Sequence, residues 1–144
     1  MLKVRPTLWK KILLGYWIGT GIVLFGYLSL VSLDLKKSLA ETLQTIPNLA
    51  LVTIIAGIDL LLAATLWKLE KSDRPLFLSL ALFQQLLSLN FVGALLIYFY
   101  QRSEQFKLLV RPTKEQGALV LTFSLSILLT LFVLLIRLRL SLIA

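Results

Sequence analysis

Four stretches of this chain, residues 12–33, 49–67, 76–100 and 117–136, are each made of about twenty or more predominantly apolar residues. That is the length an α-helix needs to cross a ~30 Å hydrocarbon core. In lipid every backbone N–H and C=O must be satisfied within the protein, and a single apolar stretch can do this only as a helix. Within 144 residues little else fits. The expected fold is therefore all-α: one polytopic domain over residues 1–144, four transmembrane helices joined by short amphipathic loops.

The punctuation agrees. Pro6, Pro47, Pro75 and Pro112 each precede a stretch and none falls inside one, as suits a residue tolerated at a helix start and damaging in its interior. Ser72 and Asp73 can cap the third helix, and Thr113 with Gln116 has capping-box spacing before the fourth. Ser38 with Glu41 repeats that spacing, and Leu35, Leu39, Leu43 and Ile46 recur at helical intervals, which predicts a brief interfacial helix. Residues 12–33 follow a basic N-terminus as a secretory signal core would, but they are too long and lack a small-residue exit, so a retained span is expected.

Charge and missing residue types exclude other classes. A net charge of +8 in a soluble chain would suggest nucleic acid. Here Lys10, Lys11, Lys68, Lys71, Arg102 and Arg137 flank apolar stretches, the distribution of membrane-bordering cations; no nucleic-acid partner is expected. The sequence has neither Cys nor His, which removes thiolate and imidazole metal ligands and the usual activated nucleophiles. No enzyme activity, cofactor or metal is expected. With four spans, Lys3, Arg5, Lys10, Lys11, Lys68, Lys71, Arg74, Arg137 and Arg139 lie on one side, against Lys36, Lys37, Arg102, Lys107, Arg111 and Lys114. Nine cations against six place both termini in the cytoplasm, in a plasma-membrane protein. Trp9 and Trp67 would then anchor one interface and Tyr98 and Tyr100 the other.

The faces of the spans carry the remaining information. Gly15, Gly19, Ile22, Gly26 and Ser29 share one face of the first, a small-residue groove suited to close helix packing inside the chain or against another. Ala118, Thr122, Ser126 and Thr130 form a similar stripe on the fourth. In the third, Gln84, Gln85 and Ser88 share a face while Asn90, Gly93 and Ala94 point elsewhere, so that helix should be central. Asp59 stands near the middle of the second span, where an Asp costs roughly 2.5–3.5 kcal/mol and needs compensation. Val4-Arg-Pro-Thr7 recurs as Val110-Arg-Pro-Thr113, a match that does not extend into the spans.

Two functions fit. The first is a small accessory or assembly subunit that binds, within the lipid bilayer, a larger membrane protein or another copy of itself. The second is a small oligomeric carrier or channel using Asp59, Gln84, Gln85, Ser88 and Asn90 as a proton, cation or solute site. The first is preferred, because carriers usually show broken helices or several polar spans, whereas three of the four spans here have no strongly polar pattern apart from Asp59.

Overall fold

The computed structural model describes residues 5–143. It contains α1 (Pro6–Leu35), α2 (Leu39–Thr45), α3 (Pro47–Lys68), α4 (Arg74–Leu87), α5 (Phe91–Ser103) and α6 (Gly117–Ile143), with a 3-10 turn Lys114–Gln116 leading into α6. Pro6, Pro47 and Pro75 occupy the first turns of α1, α3 and α4. The short helix α2 opens on the expected capping box. There the Ser38 backbone N–H and hydroxyl each donate to Glu41 Oε2 at 2.9 Å, and the two bonds hold that carboxyl below its ordinary value. The expected pairing of Thr113 with Gln116 also forms.

Among the described residues three helical segments are long and apolar enough to cross a membrane: α1, α3 and the run Lys114–Ile143 that contains α6. The third expected span, residues 76–100, is instead two helices. At 1.5 Å per residue the 14 residues of α4 and the 13 of α5 reach only about 21 and 20 Å, each short of the hydrocarbon core. They fold back on one another as a hairpin, and Gln101 Nε2 near the end of α5 donates to Ser79 Oγ near the start of α4 at 3.3 Å.

The break has a local cause. Leu89 adopts a left-handed conformation with φ 59°. The Leu89 N–H bonds to Leu86 O at 3.1 Å and the Asn90 N–H to Gln85 O at 2.9 Å, closing the last carbonyls of α4 in a Schellman arrangement. Asn90 then starts α5 by accepting the Gly93 N–H on its side chain at 3.1 Å. Leu normally pays 1–2 kcal/mol for a left-handed conformation, so the turn must be held by what packs around it.

Contacts between helices define the two ends of the bundle. Trp9 of α1 stacks on Phe99 of α5 with centroids 5.2 Å apart. Gln116, just before α6, donates to Asp73, just before α4, at 2.9 Å. One end thus gathers the start of α1, the start of α4, the end of α5 and the start of α6. α6 runs parallel to α4: Phe77 meets Phe123 at 5.3 Å, and seven residues on in each helix Gln84 meets Thr130. Over its 27 residues α6 travels roughly 40 Å to the opposite end. The aromatic anchors Trp9, Tyr98 and Tyr100 accordingly share one end instead of dividing between two. The repeated Arg-Pro-Thr begins α1 and precedes α6 at that same end; Val4 lies outside the described residues.

Aromatic rings tie the interior together. Buried Trp17 meets Phe77 edge-on at 6.3 Å, and Phe77 meets Phe123 in the same manner, linking α1, α4 and α6. α1 packs tightly on α3 at Gly21, where a β-carbon would stand 2.6 Å from Leu60 Cδ2.

Candidate functional site

At the tip of the hairpin side chains of α1, α3, α4 and α6 and of Asn90, the N-cap of α5, meet in one hydrogen-bonded network with a buried centre. Asp59 of α3 is 1% exposed, and Gln84 and Gln85 of α4 are fully buried. Gln85 Nε2 donates to Asp59 Oδ1 at 2.8 Å and to Gln84 Oε1 at 2.7 Å. Gln85 Oε1 accepts from Asn90 Nδ2 at 2.6 Å, and Asn90 Oδ1 accepts from the Tyr16 hydroxyl of α1 at 2.5 Å. On the other side Gln84 Nε2 reaches Thr130 Oγ1 of α6 at 3.4 Å, and that hydroxyl donates to Ser126 O at 2.8 Å.

The break in the helix creates this convergence. In a continuous helix Asn90 would point away from Gln84 and Gln85. With the chain reversed at Leu89, Asn90 folds over the end of α4 and its amide meets that of Gln85. Space for the crossing comes from Gly93: a β-carbon there would overlap Gln85 Oε1 and lie 3.0 Å from Asn90 Nδ2. Amides expected on two faces of one helix are therefore a single cluster.

The structure brings together Asp59, Gln84, Gln85 and Asn90, and adds Thr130 from the α6 stripe. Ser88 does not join them; its hydroxyl donates to Gln85 O at 3.1 Å and helps end α4. Tyr16 was not legible as a member, since an isolated phenol in an apolar helix carries no positional signal. Of the rest of the α6 stripe, Ala118 and Thr122 are exposed and Ser126 is half-buried. The glycine groove of α1 is not the internal packing face. A β-carbon at Gly15, Gly19 or Gly26 would meet nothing within 4 Å, and Gly21, on another face, makes the close contact with α3.

Chemically the network is a set of amides and hydroxyls around one carboxyl. Among the described residues no three of Asp, Glu, His or Cys come together. Its amide donors are matched to acceptors inside the chain, which is what a fastening of α1, α3 and α6 to the hairpin requires. No protein-family model, curated protein or solved structure matches the chain.

Proposed function

We propose that this protein is a small non-enzymatic membrane subunit that docks, through the outer face of α1, against another membrane protein or a second copy of itself. One observation carries the proposal: Gly15, Gly19 and Gly26 line a face on which, among the described residues, nothing beyond the adjoining backbone of α1 lies within 4 Å of a would-be β-carbon. In lipid, apolar exposure does not drive association, whereas close backbone approach at small residues does.

The same proposal fixes an orientation. With the hairpin returning to its side of entry, Lys3, Arg5, Lys10, Lys11, Lys68, Lys71, Arg74, Arg102, Lys107, Arg111 and Lys114 belong to one side, leaving Lys36, Lys37, Arg137 and Arg139 for the other. Eleven cations against four is a wider asymmetry than the four-span arrangement offers. It puts the N-terminus in the cytoplasm and the C-terminus across the membrane.

Gly19→Leu tests the docking face. It should leave the melting temperature of the detergent-solubilised protein unchanged, because a β-carbon at Gly19 has open space around it, and should abolish the co-purifying membrane protein or the dimer. Gly21→Leu, on the internal face, should unfold the protein instead. Full recovery of the partner or dimer with Gly19→Leu would show that the face meets only lipid.

A carrier or channel is the second reading, favoured by the broken third segment. Helix ends meeting beside an intramembrane carboxyl are a feature of transporter sites. Burial of Asp59, Gln84 and Gln85, with the Gln85 amide donating to both the Asp59 carboxyl and the Gln84 carbonyl, favours the subunit.

A further inference from the structure

We infer that the cavity at the C-terminal end of α5 is a headgroup site for a lipid carrying both a primary ammonium and a phosphate, as phosphatidylethanolamine does. The chain builds this cavity as it leaves the helix. Gln105 takes a left-handed conformation with φ 58°, its N–H bonds to Arg102 O at 3.2 Å, and the Phe106 N–H bonds to Gln101 O at 2.9 Å. This Schellman ending turns the following segment back over the last turn of α5. A cavity of about 210 Å³ lies there, lined by Tyr98, Gln101, Arg102, Phe106 and Leu108. It has room for roughly seven waters at ~30 Å³ each, which suits a headgroup and not a whole lipid.

One wall of the cavity lacks a donor. Gln101 is 1% exposed, and its Oε1 has no hydrogen-bond partner. Turning the amide over would not correct this. Its Nε2 donates to Ser79 Oγ at 3.3 Å, and that hydroxyl gives its own proton to Pro75 O at 2.9 Å, so it can only accept. A buried acceptor left unpaired is unfavourable, and a ligand N–H or O–H that reaches it relieves the deficit. Two features make that donor an ammonium: aromatic walls at Tyr98 and Phe106 suit a cation, and the carbonyl end of α5 carries the negative pole of the helix. Arg102, exposed on the same wall, sets the opposite demand, an anion for its guanidinium. A primary ammonium a few bonds from a phosphate meets both. Choline has no N–H for Gln101 Oε1, and a glycerol headgroup has no cation.

The surroundings select a lipid over a soluble zwitterion. Leu108 and Leu109 are 50% and 90% exposed, in the connection between α5 and the turn that leads into α6. Trp9 and Phe99 stack at the same end of the bundle. Exposed leucines and stacked rings beside a cation belong at the headgroup level of a bilayer.

The test is lipid retention by the full chain, purified in mild detergent, incubated with equal amounts of phosphatidylethanolamine, phosphatidylcholine and phosphatidylglycerol of matched acyl chains, and read by native mass spectrometry. Phosphatidylethanolamine should be retained about tenfold better than either of the others. Arg102→Gln should lower its retention about tenfold, while Lys107→Gln, a neighbouring exposed cation outside the cavity wall, should leave it unchanged. Gln101→Met, which keeps the bulk and removes Oε1, should abolish the preference for phosphatidylethanolamine over phosphatidylcholine. Arg102 is exposed, so its variant keeps the test decisive should Gln101→Met fail to fold. Equal retention of phosphatidylcholine or phosphatidylglycerol by the unaltered protein, a preference that survives in folded Gln101→Met, unchanged retention in Arg102→Gln, or an equal loss in Lys107→Gln would overturn the inference. Displacement of the lipid by millimolar phosphoethanolamine would overturn the lipid assignment in favour of a soluble zwitterion.

Discussion

Gly93→Ala is expected to destabilise the protein by about 2–4 kcal/mol, far more than the addition of one methyl group ordinarily costs. The new β-carbon would occupy the position of Gln85 Oε1, so the Gln85 side chain must leave. Its departure breaks the 2.6 Å bond from Asn90 and withdraws the amide that bonds Asp59 and Gln84. Overpacking costs about 1–3 kcal/mol, and each buried polar group left unpaired costs a similar amount. Gly57→Ala is the matched control, since a β-carbon there meets nothing within 4 Å and alanine is the better helix former; it should be neutral or slightly stabilising. The measurement is thermal or denaturant unfolding in detergent. Equal stability of the two variants would mean that the hairpin tip is not packed as described.

Asp59→Lys is expected to abolish the folded protein, whereas Asp59→Asn should be tolerated within about 1 kcal/mol. Asn keeps an oxygen to accept from Gln85 Nε2. Lys offers only donors to a donor and buries a charge with no acid in reach, a cost of several kcal/mol. The pair also separates the two functional readings. If Asp59 fastens the hairpin, Asp59→Asn retains both fold and partner binding. If Asp59 carries a proton or cation, Asp59→Asn assembles normally and loses a solute- or pH-dependent phenotype, and that result would favour the carrier.

Much of this architecture was legible in the sequence, and the part that was not has an identifiable reason. α1, α3 and α6 follow from the length of their apolar stretches, and the four prolines mark where helices may begin. The break was hidden because its turn lacks the expected markers. Left-handed helix ends usually carry Gly, but Leu89 fills that position here, and no proline follows it. A hairpin of two short apolar helices also has the hydropathy of one long span. Two signals did point to the break: Asn90 stands three residues before Gly93, the spacing of an N-cap to the N–H it receives, and three amides cluster within seven residues. Asp59 was recognisable from its depth alone. Its partners Gln84, Gln85 and Asn90 stand out as amides in an apolar segment, but their convergence depends on the chain reversal at Leu89, and Tyr16 reaches Asn90 only once that reversal has occurred. The glycine groove was recognised as a packing face, yet which of α1's faces meets α3 is decided by Leu60, a residue of another helix.

Three spans and a hairpin that returns to its side of entry are tested most directly by the sidedness of labelling. The chain has no cysteine, so a membrane-impermeant maleimide reports only cysteines introduced one at a time, at the exposed positions Lys36, Lys71, Lys107 and Ser141. In sealed vesicles Lys71→Cys and Lys107→Cys should label from one side, and Lys36→Cys and Ser141→Cys from the other. Labelling of Lys107→Cys together with Lys36→Cys, and of Ser141→Cys together with Lys71→Cys, would mean that residues 76–100 cross the membrane, and would contradict the account.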